Sequence, residues 1–147
     1  MRRAFALLVA LLAVAGATAR DVPQFVRGPL SGFAHDCRQA GETVDLDAML
    51  TSADLDGDGQ LDWLIDTRKG CKAVRDLYCT TANACSLDIF LTRTGQRQAS
   101  YKVLEYQVTP GHGLNVLRIV LAGAECGPAA HCGRVLVWRN GTLNLTR

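Results

Sequence analysis

Apolar and polar residues alternate over much of this chain. Leu87, Ile89 and Leu91 alternate with Asp88, Phe90 and Thr92, and Thr94-Gly95 then turns the backbone. Tyr101 to Val108 repeats the pattern with Leu104, Tyr106 and Val108 on one parity. Pro110-Gly111-His112-Gly113 supplies the next turn, and Leu117, Ile119 and Leu121 alternate with Arg118 and Val120. A period of two belongs to a strand with one buried face. Val135–Arg139 and Thr142–Leu145 flank Asn140-Gly141, a dipeptide suited to a two-residue hairpin, because a type I′ turn holds both central residues at positive φ.

Upstream the pattern is less regular. Residues 20–30 contain Pro23, Gly28 and Pro29 and read as an irregular lead-in. Ser31 reads as the cap of a short helix running to Ala40, with Gly41 as its stop and Phe33 and Cys37 on one face. Residues 43–53 put Val44, Leu46 and Ala48 on one parity, which predicts an extended segment, and Trp63-Leu64-Ile65 predicts a strand. Residues 67–86 hold three cysteines and few periodic positions, so they read as a disulfide-held excursion. The expectation is a mainly β, disulfide-stapled domain: an antiparallel meander of six to seven strands with one short N-terminal helix.

The N-terminus adds a compartment. Arg2 and Arg3 precede an apolar run, Phe5 to Ala15, and Ala17-Thr18-Ala19 is a small-x-small cleavage site. Residues 1–19 thus read as a signal peptide cleaved after Ala19, the run being too short for a span of about 20 residues. Residues 20–147 form one β-rich domain with no second long apolar segment, which places a soluble protein in a secreted or periplasmic setting. All six cysteines lie in that part. An even count behind a secretion signal reads as three disulfides. Cys79 and Cys85 are six apart, as are Cys126 and Cys132, so the first choice among the connectivities is Cys37–Cys71, Cys79–Cys85 and Cys126–Cys132. A zinc site at His131 and Cys132 is disfavoured, since no C-x-x-C pair occurs.

Charge is divided unevenly. Between Arg38 and Arg68 there is no basic residue, and Glu42, Asp45, Asp47, Asp54, Asp56, Asp58, Asp62 and Asp66 give that window a formal −8. The rest of the mature chain is basic but without aromatic interleaving, which argues against a nucleic-acid partner. Within the acidic block, Asp54 to Asp62 reads D-L-D-G-D-G-Q-L-D. Calcium takes six to eight oxygens, and a loop delivers them from alternate residues while glycine permits the sharp turn. Counted from Asp54, positions 1, 3 and 5 are Asp54, Asp56 and Asp58, position 6 is Gly59, position 7 is the carbonyl of Gln60, and position 9 is Asp62. An EF-hand would carry a bidentate glutamate at position 12, where this chain has Ile65. The competing reading is a turn whose aspartates cap backbone amides.

The spacing D-x-D-G-D-G-x-x-D followed by an apolar strand resembles the calcium loop of integrin-type FG-GAP and VCBS blade repeats. The resemblance covers about 13 residues and implies Ca²⁺ ligation by Asp54, Asp56, Asp58, Gln60 (carbonyl) and Asp62 in a loop joining two antiparallel strands. A single copy does not imply a propeller. More broadly, the cysteine on an early helix, D-G-D-G followed by W-L-I-D, the Y-C…N-A-C-S-L-D-I-F-L segment and the late C…C pair resemble small secreted bacterial proteins of unassigned activity.

No G-x-S-x-G, H-E-x-x-H or phosphate-binding glycine loop is present. His35, His112 and His131 are the histidines, and nothing selects one as catalytic. Trp63 and Trp138 suit core packing better than a carbohydrate platform. Asn140-Gly-Thr142 and Asn144-Leu-Thr146 match the glycosylation sequon but carry no meaning in a bacterial protein. The expected function is a monomeric calcium-binding interaction module for a protein or an envelope glycan. The alternative is a small secreted hydrolase, or an inhibitor of a hydrolase such as a lysozyme or protease.

Overall fold

A computed structural model describes residues 22–111, 113 and 115–146; the segment read as a signal peptide and His112 lie outside the described residues. Seven strands form one antiparallel sheet in sequence order: β1 (Leu50–Ala53), β2 (Asp62–Asp66), β3 (Cys85–Leu91), β4 (Gln96–Pro110), β5 (Asn115–Ala122), β6 (His131–Arg139) and β7 (Thr142–Thr146). Each strand pairs with the next, so the alternating pattern becomes an uninterrupted meander. The β6–β7 turn has Asn140 at φ 53° and Gly141 at φ 78°, the positive pair a type I′ turn demands.

The sheet curls on itself. In a flat sheet β1 and β5 would lie about 19 Å apart, at about 4.8 Å per strand. Instead, Asn115 at the start of β5 donates through its backbone N–H to the carbonyl of Asp54, just beyond β1, at 2.8 Å. The hydroxyls of Thr51 on β1 and Tyr106 on β4 also meet at 2.8 Å. Two irregularities on β4 help it bend. The β3 pairing passes over Gln98, between Ile89–Ala99 and Phe90–Arg97, and the β5 pairing passes over Leu104, between Val103–Leu121 and Glu105–Val120. Each extra residue is a bulge that adds twist. The second also reverses parity: Val103, not Leu104, is buried on the face to which Tyr106 and Val108 belong.

Inside the curl lies one core, built on Leu64, Leu87, Ile89, Leu91, Val103, Leu117, Ile119, Leu121 and Leu136. The outer face of β2 and β3 carries Trp63, Ile65 and Phe90, and a second core forms where a helix covers them. That helix, α1, spans Gln24–Gln39, so it begins well before the expected cap at Ser31. Its stripe Val26, Leu30, Phe33, Ala34 and Cys37 is buried. The burial of that stripe outweighs the cost of Gly28 and Pro29, the residues that make the segment look irregular. Ser31 is not a cap; its hydroxyl donates back to the Arg27 carbonyl at 2.8 Å.

The extended segment expected over 43–53 is divided. Asp45 caps a single-turn helix, α2 (Leu46–Met49), accepting from the amides of Asp47 and Ala48, and β1 follows. Another single turn, α3 (Arg75–Tyr78), lies in the cysteine-rich excursion. Three disulfides join Cys37 to Cys71, Cys79 to Cys85 and Cys126 to Cys132. The first ties α1 to the segment after β2, on the far side of the acidic loop in sequence.

Candidate metal centre

The acidic stretch is the connection between β1 and β2, a strand–loop–strand arrangement. Leu55, 2% exposed, anchors the loop in the inner core, while Gly57 and Gly59 take φ 78° and 83°. Those values favour glycine because a Cβ would strain them. The curled backbone turns Asp54, Asp56 and Asp58 inward until one carboxylate oxygen from each lies within 4.8 Å of the others. Two oxygens on one calcium ion stand at most about 5.2 Å apart, twice the longest usual Ca–O distance. The three carboxylates therefore fit a single divalent cation.

These carboxylates also organise the loop. Asp54 accepts from the amides of Gly57 at 2.7 Å and Gly59 at 3.0 Å. Asp56 accepts from Asp58 N–H at 3.1 Å, and Asp58 from Gln60 N–H at 2.8 Å. Each oxygen has two acceptor directions, so an amide on one leaves the other for a cation. Capping and cation binding are compatible here.

Asp62 does something different. It is wholly buried, and its two oxygens take the amides of Leu55 at 2.9 Å and Thr92 at 2.8 Å. From the first position of β2 it ties Leu55, near the start of the loop, to Thr92 in the β3–β4 turn. Desolvation raises its pKa, against the lowering effect of those two amides. The structure thus gathers Asp54, Asp56 and Asp58 into one cluster, whereas Asp62 stands behind them as a backbone clamp. The Gln60 side chain donates to Asp58 at 3.2 Å.

Sequence reasoning missed Arg93, in the β3–β4 turn. Its Nε lies 2.8 Å from an Asp56 oxygen and 3.6 Å from one of Asp58, and its guanidinium sits 5.9 Å from the centre of the Trp138 ring. The ring fixes the arginine from below while its charge offsets the cluster. The only sequence signal is the uneven charge distribution, which requires basic neighbours somewhere but does not name them.

The other sequence candidates are dispersed. Trp63 is buried under α1, on the opposite face from Trp138. His35 is exposed at the mouth of a cleft of about 370 Å³ between α1 and the sheet, and His131 is exposed at the start of β6. A wider groove of about 730 Å³ lies over β4, β5 and β6 at Glu105, Gln107 and Arg118, away from the acidic loop. No protein-family profile, curated protein or solved structure matches this chain.

Proposed function

We propose that the protein is an exported, disulfide-stapled β-domain that binds Ca²⁺ at Asp54, Asp56 and Asp58, with the Gln60 carbonyl completing the near side and Asp62 clamping the loop. The ion is structural, and the domain acts as a binding module toward a protein or an envelope glycan. The observation that carries this reading is the convergence of three carboxylates within 4.8 Å on a loop whose two ends are fixed by a buried aspartate. Three disulfides suit an oxidising compartment. No helix among the described residues is long and apolar enough to cross a membrane.

The test is thermal unfolding in chelator and in millimolar CaCl₂. With a Kd of about 10⁻⁴ to 10⁻³ M, 1 mM Ca²⁺ stabilises the fold by about 0.4–1.4 kcal/mol. Asp54→Asn combined with Asp58→Asn abolishes the response. An unchanged melting temperature in the unsubstituted protein across both conditions refutes calcium binding. Export is tested separately, by N-terminal sequencing of the secreted form, which is expected to begin at Arg20.

A further inference from the structure

The two edges of the sheet are finished differently. β1 is tied into the curl, by the Thr51 hydroxyl to Tyr106 and by the carbonyl of Asp54, just beyond it, to Asn115. β7, at the other end of the strand order, pairs with β6 alone among the described residues. The two-residue turn makes Arg139 and Thr142 its closing pair, and hydrogen-bonded pairs recur at every second position from there. Thr142, Asn144 and Thr146 thus exchange bonds with β6, and the N–H and C=O of Leu143 and Leu145 point away from the sheet. No turn or loop backbone among the described residues takes them up.

Natural edges are commonly blunted by a charge, a proline or a bulge. β7 has none of these: its sequence is Thr-Leu-Asn-Leu-Thr, and its register with β6 runs without a shift. Leu145 is 39% exposed although it lies opposite Leu136 on the inner face. The sequence of β7 also reads the same in both directions. Identical strands related by a twofold axis set residue i against j and j against i. With the axis at Asn144, Leu143 lies opposite the second copy's Leu145, and Thr142 opposite its Thr146. Leu143 and Leu145 then occupy the hydrogen-bonded positions, so the outward backbone groups of both strands satisfy one another completely. The inner faces of the two sheets become continuous, and each Leu145 gains the other copy's Leu143 as a neighbour. An uncharged amide meets itself at the axis, so no like charges are opposed.

We propose that β7 is a self-association edge, on which two copies of this chain pair antiparallel about Asn144. This surface gives a reversible pair in place of the monomer expected from the sequence. It does not rest on the calcium reading, because none of its residues belongs to the acidic loop. One short strand from each copy makes a small interface, which sets the Kd between about 1 µM and 1 mM.

The experiment follows sedimentation and amide hydrogen exchange of the oxidised protein, in excess Ca²⁺, over concentrations that bracket that Kd. The sedimentation coefficient is expected to rise with concentration. Exchange at the Leu143 and Leu145 amides slows severalfold in step with it, whereas Asn144 and Thr146, already bonded to β6, change less. Leu145→Pro removes an outward N–H without breaking the β6 ladder and weakens association at least about tenfold. If that variant disrupts the hairpin, charge pairing decides the matter. Thr142→Lys with Thr146→Lys, and Thr142→Glu with Thr146→Glu, each fail to self-associate, but their mixture forms a one-to-one pair because every lysine meets a glutamate. The proposal is overturned by a protein that stays monomeric over the whole range, by association that leaves the Leu143 and Leu145 amides exchanging freely, or by a mixture of the folded charge variants that stays unpaired.

Discussion

Asp62 and Asp66 occupy the inner face of β2 on either side of Leu64, and both are wholly buried. They are satisfied in different ways. Asp62 takes two backbone amides, whereas Asp66 is gripped by Arg68, which donates from Nε at 3.0 Å and Nη2 at 2.8 Å and also reaches the Leu104 carbonyl. The aspartates are legible in the sequence as a dense run, but their roles are not, because Asp62 takes one partner, Thr92, from a turn 30 residues away, and Asp66 depends on the chain folding Arg68 back onto it. Asp62→Ala leaves two backbone amides without their acceptor and is expected to cost about 2–4 kcal/mol in urea unfolding. Done in chelator, the measurement isolates the clamp from any cation. Gly70 is a second residue whose reason lies wholly in packing: a Cβ there would come within 2.2 Å of the buried Phe33 ring. Gly70→Ala is expected to destabilise by about 1–3 kcal/mol, the usual range for overpacking. Tyr78 gives a pH dependence. Its folded pKa is raised from 10.0 to about 12, so the neutral phenol is the form the fold favours. That contribution is complete below pH 10 and is lost as the pH rises through about 12, so stability falls across this window. Tyr78→Phe should flatten this limb in alkaline unfolding.

At the scale of elements, strands were easier to read than helices. Period-two alternation survives single exceptions, and the Asn140-Gly141 turn sets its own register. The α1 stripe was also present in the sequence from Val26 onward, but Gly28 and Pro29 obscured it, since local propensity is a weak prior against a buried face. The bulge at Leu104 was invisible: nothing in Val103-Leu104-Glu105 announces an extra residue, and the parity it reverses is set by curvature of the whole sheet. Disulfides connect these elements with unequal leverage. Cys37–Cys71 closes a separation of 34 residues, whereas Cys79–Cys85 and Cys126–Cys132 each close six. The chain-entropy relation gives about 4 kcal/mol for the first and about 2 for each of the others. Replacing both members of each pair with alanine, one pair at a time, should reproduce that order in denaturant midpoints. Cys37→Ala with Cys71→Ala should also loosen α1, seen as faster amide exchange at Leu30 and Phe33 than at the β5 residues Leu117 and Ile119.

Across the whole molecule, the acidic block is held partly by its own backbone amides and partly by residues drawn from outside it. Arg68 takes Asp66, Arg93 takes Asp56, the Lys72 amide takes Glu42, and backbone amides take Asp62 and Asp45. Asp54 and Asp58 are left with loop amides and the outer reach of Arg93. Antiparallel pairing of β2 with β3, which sets Trp63 opposite Phe90, puts the β3–β4 turn beside the β1–β2 loop, and this is what delivers Arg93 to the cluster. The arginine therefore stands where it supports the loop without a cation and opposes one that arrives. Removing its charge should have opposite effects in the two conditions. In chelator, Arg93→Gln leaves three carboxylates with less compensation and lowers the melting temperature. In millimolar Ca²⁺ the same change removes a positive charge 3.6 Å from Asp58, so the proposed calcium site is expected to hold its ion more tightly. The difference in melting temperature between the two conditions is then larger in Arg93→Gln than in the unsubstituted protein. Trp138→Phe serves as the control, since it alters the ring under the guanidinium and leaves the charge in place. If Arg93 acts only by packing on that ring, the two substitutions change the calcium response alike; if its charge is what the ion meets, Arg93→Gln alone enlarges it.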